Sequence, residues 1–285
     1  MNEVIQHVSD TSFWVAYYRS LETERQDALF KDPYARILVG PKAAQFEKMK
    51  SPTMKWTQWT VVMRTYIIDR MILDLIDQGV TTFVNLGAGL DTRPYRMGLE
   101  KNIKWIEVDF QHVIEHKAKH LISAVPTCDL ERISLDLSDR KQRQNLFLDL
   151  ANRNVKMAVL TEGVLPYLTG EQVSELSEDL MKHKNFKYWI CEYISPKAYP
   201  HLRSPQRMKA LKNAPFQFFP EDWFGFFTQR GWKLVQDRYY HEISEKFKRS
   251  TPLPKIFKFI GLFMGQKRML PFKRMSGYLM WEQKN

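Results

Sequence analysis

The sequence predicts an α/β protein built on a mostly parallel sheet with helices on both faces. Three observations point there. Between residues 81 and 194, five short apolar runs alternate with stretches of helical periodicity, the signature of repeated βαβ units. The first run ends in Gly87-Ala88-Gly89, the turn expected where a buried strand gives way to a helix. With 285 residues, 44% of them apolar, the chain is long enough to bury both faces of such a sheet.

Taken in order, the first 60 residues read as helical. WVAYYRSLETERQDALF mixes apolar and charged residues at helical spacing until Asp32-Pro33 breaks it, and residues 56–79 form a strong amphipathic helix closed by Gly79. Then TTFVNLGAG, IKWIEVD, RISLDL, VKMAVLTEG and FKYWICEYI read as strands. The segments 111–121, 141–153 and 171–183 between them read as helices. The rhythm fails from about 195 to 220, a stretch holding Pro196, Pro200, Pro205, Pro215 and Pro220, and this predicts an insertion over the edge of the functional site. WFGFFTQRGWKLVQDRYY resumes as helix and strand, and SGYLMWEQ predicts a last, edge strand. The whole reads as one domain over 1–285, with a helical cover (1–80), a cofactor-binding core (81–195), an acceptor-side insertion and helix (196–230) and C-terminal strands (231–285).

The glycine turn narrows the ligand. A dinucleotide loop wants a third glycine three residues after the second, and here that position is Thr92. A phosphate loop wants Gly-Lys-Ser/Thr, which is missing. Close backbone approach without an anion cradle favours a cofactor with an adenosine and no phosphate, namely S-adenosylmethionine. The second run ends in Glu107 and Asp109. Asp109, at the tip, is the candidate acceptor for ribose hydroxyls, although either acid can instead cap the next helix. The third run ends in Leu135-Asp136-Leu137, an acid between apolar walls suited to an adenine amino group, unless Asp136 or Asp139 is only an N-cap. Glu162, after the fourth run, is a candidate for the cofactor's ammonium or sulfonium. Arg64 either pairs with the cofactor carboxylate or lines a solvated helix face.

Other function classes are disfavoured. No apolar run reaches 18 residues, and the N-terminus has no charged and apolar signal pattern. Two cysteines, Cys128 and Cys191, make neither a disulfide framework nor a four-cysteine zinc site, so a reducing cytoplasmic setting is expected. HVIEH (112–116) with His120 matches an inverted zinc pattern, but its place after the second run makes an ordinary helix the simpler reading, and no metal is expected. The net charge of +11 raises a nucleic-acid methyltransferase as a rival, yet there is no Asn/Asp-Pro-Pro-Tyr-like site, aromatic RNA motif or zinc knuckle, so no nucleic-acid partner is expected. A non-catalytic cofactor-binding module and a nicotinamide dehydrogenase are further rivals, the latter disfavoured by Thr92. Residues 246–274 carry nine basic residues and no acid alongside KIFKFIGLFMG. A loop with snorkelling lysines is favoured over a membrane-surface contact. PFQFFPEDWFGFF (215–227) either packs the core or lines an aromatic acceptor pocket.

Five ordered segments carry a more specific signal: AYYRSLETERQDALFKDPYA (16–35), VVMRTYIIDR (61–70), VNLGAGLDTRPYR (84–96), EVDFQHVIEHK (107–117) and LTEGVLPYLTGEQV (160–173). Through them the chain resembles the leucine carboxyl methyltransferase family, and within it the bacterial polyketide O-methyltransferases of the tetracenomycin type. The resemblance is good over roughly 10–195 and looser through GWKL and YLMW. It implies a class I, Rossmann-like sheet of seven strands with a helical N-terminal cover and an insertion after the fifth strand. It also implies that Arg19 and Arg64 reach the methionine end of S-adenosylmethionine, that Gly87, Ala88 and Gly89 pass under it, and that Asp109, Asp136, Leu137 and Glu162 contact ribose, adenine and the amino group. Tyr167 would border the acceptor pocket. Gln111 departs from the family's frequent proline there, and the insertion matches no family pattern. The sequence shows no compelling general base. A carboxylate acceptor is ionised at neutral pH and needs none, whereas a phenol of pKa about 10 does. The expected acceptor is therefore a carboxylate on a small, polyketide-like molecule, with a protein C-terminal carboxylate as the alternative.

Overall fold

Among the described residues, seven strands form one sheet: β1 (Thr82–Leu86), β2 (Lys104–Asp109), β3 (Asp129–Ser134), β4 (Met157–Thr161), β5 (Phe186–Ile194), β6 (Trp232–Tyr239) and β7 (Ser276–Gln283). Their spatial order is β3-β2-β1-β4-β5-β7-β6. The first five are parallel, and β7 runs antiparallel between β5 and β6. The computed structural model describes residues 11–48, 52–205, 208, 212–249, 251–252 and 266–284. This is the α/β, Rossmann-like sheet that the alternating runs predicted.

Side-chain alternation sorts the sheet into two faces. On one lies the long helix α4 (Pro52–Asp77), preceded by α1 (Thr11–Thr23), α2 (Pro33–Val39) and α3 (Lys42–Lys48). Ile67, Ile68, Met71, Ile72 and Leu75 of α4 are fully buried against Phe83, Trp105, Ile190, Tyr278 and Met280. Each such side chain contributes roughly 1.5–3 kcal/mol of apolar burial. Between β1 and β2 the chain makes one turn of helix, α5 (Arg93–Arg96), and α6 (Gln111–His120) follows β2. On the opposite face α7 (Arg140–Ala151) and α8 (Gly170–Met181) cover Val84, Leu86, Ile106, Val108 and Val159. Helix α8 starts with a capping box between Thr169 and Gln172, as Thr-x-x-Gln before an apolar stripe should give.

Two strand expectations need correcting. SGYLMWEQ is an inner strand, not an edge: β7 is paired on both sides and buried through its centre, and β6 takes the edge. Pairing to two neighbours cannot be read from one strand's alternation. The third strand spans 129–134 rather than ending at Leu137, because its register with β2 stops where Asp109 meets Ser134. Over 196–230 the described chain makes a 3₁₀ turn (Pro196–Ala198), α9 (Tyr199–Leu202), an irregular return and α10 (Trp223–Thr228), which Asp222 N-caps. Phe218, Trp223 and Phe227 are core residues, so this aromatic piece mainly packs. Helices α11 (Tyr240–Lys246) and α12 (Gln266–Lys273) flank the last strand pair. Of the basic, apolar stretch singled out above (246–274), residues 250 and 253–265 lie outside the described residues.

Candidate active site

The site is built where the strand order reverses, at the carboxyl ends of β1 and β4, the crevice in which open α/β sheets bind ligands. Gly87 has φ +69° and Gly89 φ +48°, both left-handed. A Cβ on Gly87 would stand 2.6 Å from the Val164 methyl, so the turn needs glycine for space as well as for conformation. The amides of Gly87 and Ala88 both donate to the Val108 carbonyl, at 2.8 and 3.2 Å. Asp109, at the β2 tip, closes the turn: its Oδ2 accepts from the Gly89 amide (2.6 Å) and its Oδ1 from Phe110 (2.7 Å). Burial pushes its carboxyl up, opposed by those two N–H groups. Each oxygen keeps accepting capacity, as binding a ribose diol requires. Glu107 has the same orientation but a different task, for it is fully buried and ion-paired to Lys117 (2.6 Å) and Arg132 (2.9 Å).

Beneath the turn lies a buried ionic cluster. Arg93 is its centre, with Nε 2.7 Å from Asp69 and Nη1 2.9 Å from Asp91 and 2.7 Å from Glu162. Arg96 grips Asp69 with both terminal nitrogens, at 2.7 and 2.8 Å. Asn85 donates to Asp91 at 2.8 Å. Burial alone would raise the Asp91 and Glu162 carboxyls, but Arg93 holds both below the usual range, helped by Lys117, Arg96 and Arg19 at Asp91 and by Arg64 at Glu162. The sequence reading missed Asp69, Asp91, Arg93 and Arg96. The only local trace of them is charge beside the glycine turn and inside an otherwise apolar helix face, which does not say what pairs with what.

The predicted residues fall into three groups. Gly87, Ala88, Gly89, Asp109 and Glu162 gather at the carboxyl ends of β1, β2 and β4, and Arg64 reaches Glu162 there from α4. Arg64 Nε lies 2.9 Å from Glu162 Oε1, an ion pair without hydrogen-bond alignment, so Arg64 is not a solvated surface residue. Arg19 is close by but directed elsewhere. It bonds Asp32 through Nε (2.7 Å) and the Leu90 carbonyl through Nη2, which pins α1 to the chain just past the glycine turn. Asp32 also takes the Thr92 hydroxyl (2.7 Å) and caps α2. Asp136 stands apart: it is exposed, two residues past β3, and its Oδ1 accepts from the Ser138 amide (2.9 Å) and hydroxyl (2.7 Å). Asp139 is the N-cap of α7, which resolves the capping alternative in its favour. Leu137 is half-buried and its carbonyl accepts from Arg143.

Tyr167 sits in a 3₁₀ turn (Leu165–Tyr167) after β4, edge-on to Phe216 at 5.2 Å. The returning insertion is tied there, for Gln217 donates from its amide to Pro166 O (2.6 Å) and from its side chain to Tyr167 O (2.8 Å). Burial raises the Tyr167 hydroxyl's pKa. On β5, Glu192 was also missed. Its Oε1 accepts from the Val164 amide at 2.9 Å and so holds the segment that roofs Gly87. In the histidine helix, His116 Nε2 meets Leu38 O and His120 Nδ1 meets His116 O, and no group of three metal-ligating side chains occurs among the described residues.

The sheet order and a glycine turn faced by an acid on the next strand are those of the S-adenosylmethionine-dependent methyltransferases, and the chain is of that class. The family model of leucine carboxyl methyltransferase matches residues 12–181, more than half of the chain, which belongs to that family. A Frankia alni protein, described as a candidate S-adenosyl-L-methionine-dependent methyltransferase, is 28% identical over 268 residues, covering 88% of this chain and 92% of its own. A Mycobacterium bovis relative with the same description is 28% identical over 188 residues, and the match spans 60% of its length. Among solved structures, a DUF574 family protein from Streptomyces avermitilis superposes with TM-score 0.56 at 13% identity, covering 95% of this chain and 97% of the other. A candidate methyltransferase from Thermobifida fusca gives 0.55 at 14% identity, covering 95% and 94%.

Proposed function

We propose that the protein is an O-methyltransferase that esterifies a carboxylate of a small, polyketide-like acceptor. The observation that carries this is the crevice between Gly87 and Glu162, where a tight glycine turn, an acid at the β2 tip and the Arg64–Glu162 pair lie together. S-adenosylmethionine, when bound, supplies a methyl already activated on a sulfonium. Asp109 is suited to the ribose diol, Glu162 to the cofactor's ammonium, and the remaining donors of Arg64 to its carboxylate. What is left for the protein is alignment of the acceptor oxygen and exclusion of water. Tyr167 and Phe216, edge to face beside the Pro166 turn, offer an aromatic wall for a planar acceptor. An ionised carboxylate needs no proton removed before attack.

The test begins with titration calorimetry of S-adenosylmethionine and S-adenosylhomocysteine, and both should bind. Asp109→Asn should weaken both, by about tenfold or more, through loss of a charge-assisted bond worth about 1.5–3 kcal/mol. Methyl transfer is then screened over aromatic carboxylic acids, phenols, amines and a peptide ending in leucine. Methyl esters of the small acids are expected. The family's description favours a second reading, in which the carboxylate is a peptide C-terminus, and esterification of the peptide alone would establish it. Methylation of amines alone would overturn both.

A further inference from the structure

Glu192 is a buried carboxyl to which the cofactor reading gives no part. Glu192 is 5% exposed and lies on the α4-side face of β5, opposite Tyr278 in the β5–β7 ladder. Its Oε1 is held by the Val164 amide, with Gly163's amide adding to it, while Oε2 is buried and has no hydrogen-bond partner among the described residues. The groups that face it are Arg64 from α4, Tyr240 from α11, Tyr278 from β7 and Tyr167 from the turn after β4. Glu162 lies nearby on β4's end and the Cys191 thiol next to it in sequence. The three tyrosines are all pushed above their ordinary value by burial and stay neutral.

The neighbouring ionic cluster is already balanced. Its cations are Arg19, Arg64, Arg93 and Arg96, and its anions are Asp32, Asp69, Asp91 and Glu162. Asp109 lies on the far side of β1 with two amides of its own. Glu192 is thus the odd carboxyl, and an unpaired buried charge is costly enough that such a group takes up a proton instead. Accordingly burial raises it to about 7, against the pull of its amide partners and of Arg64. S-adenosylmethionine has an ammonium and a carboxylate that cancel and a sulfonium that does not, so it brings one net positive charge. S-adenosylhomocysteine brings none.

We propose that Glu192 is the countercharge for the sulfonium, neutral in the free protein and ionised when S-adenosylmethionine binds, so that the site distinguishes methyl donor from demethylated product by charge. The inference rests on the cofactor reading above. On binding, the Glu192 carboxyl gives its proton to the buffer and keeps the electron pair as a carboxylate. After methyl transfer the sulfonium charge is gone, and the carboxylate is left uncompensated. It takes a proton back, and the neutral thioether is held less tightly.

The experiment is calorimetry of both ligands from pH 6 to pH 8. A group titrating near 7 and driven to ionise by one ligand only changes the ratio of the two affinities by about tenfold over that span, in favour of S-adenosylmethionine at high pH. The sulfonium makes the amino group of S-adenosylmethionine the more acidic of the two, so each affinity is referred to the ammonium form of its ligand, using the free ligand's own titration, before the ratio is taken. In two buffers of different ionisation enthalpy at pH 6, close to one proton should be released with S-adenosylmethionine and none with S-adenosylhomocysteine. Glu192→Gln keeps an oxygen for the Val164 amide and should make the ratio independent of pH. A flat ratio in the wild type, equal proton release with both ligands, or a pH-dependent ratio retained in Glu192→Gln would overturn the proposal. If the variant does not fold, the wild-type proton count decides alone. If neither ligand binds, the cofactor reading itself fails, and this inference falls with it.

Discussion

The region under the glycine turn and the region where β5, β7 and β6 meet are buried to a similar degree and held by opposite means. Under the turn, Arg93 is 1% exposed and almost every contact it makes is charged and directional. Around β5, β7 and β6, Trp189, Trp232, Trp281 and Phe227 are as deeply buried, and rings meet edge-on or stacked at 5.0–5.4 Å. A stacked ring loses contact area in proportion to what is removed. An ionic cluster loses its balance when any one member goes. The difference explains why the crevice lies over the first region. Fixed charges can orient a polar ligand there, while the aromatic half supplies the rigid base against which β4 and β5 hold their turns.

The sharpest way to break that comparison is Arg93→Ala, which leaves buried Asp91 without its arginine and takes from Asp69 and Glu162 one of the two arginines each is paired with. It should cost about 3–5 kcal/mol in denaturant unfolding and abolish cofactor binding. Trp281→Phe, in the aromatic half, should cost roughly 2 kcal/mol and leave the affinity for S-adenosylhomocysteine within about twofold. If it lowers affinity as far as a change in the charged cluster does, the two regions are not separable. Gly87→Ala has the smallest expected stability effect, about 1–2 kcal/mol for a left-handed non-glycine residue. Because the new methyl meets Val164, cofactor affinity should also fall by about tenfold or more. Adding Val164→Ala should recover part of the affinity and none of the conformational cost.

The same contrast shows how far the sequence could be read. Runs such as TFVNL and FKYWICEYI declared themselves strands because both faces are buried and β-branched or aromatic residues fill them. Gly87 and Asp109 were legible because a turn at a strand end permits few residue types. The cluster was not legible. Asp69 and Arg93 are 24 residues apart and meet only because α4 lies across β1. Arg19 lies 13 residues from Asp32 and 71 from Leu90, so its role as a clamp between α1 and the glycine turn has no local signature. Asp136 was placed within the third strand for the converse reason. Its neighbours Leu135 and Leu137 continue an apolar alternation that β3 does not follow once pairing with β2 ends.

By itself, then, the sequence determined the local matters: which segments are strands or helices, where the chain must turn on glycine, and which family motifs stand in order. These follow from steric limits and periodicity within a few residues. The tertiary structure alone decided that β7 enters the sheet between β5 and β6, that Arg19, Arg64, Arg93 and Arg96 meet buried acids under the glycine turn, and that Glu192 Oε2 is buried without a hydrogen-bond partner among the described residues. Those outcomes depend on what distant segments bring together in a medium where an unpaired charge is expensive, and no spacing along the chain encodes that sum.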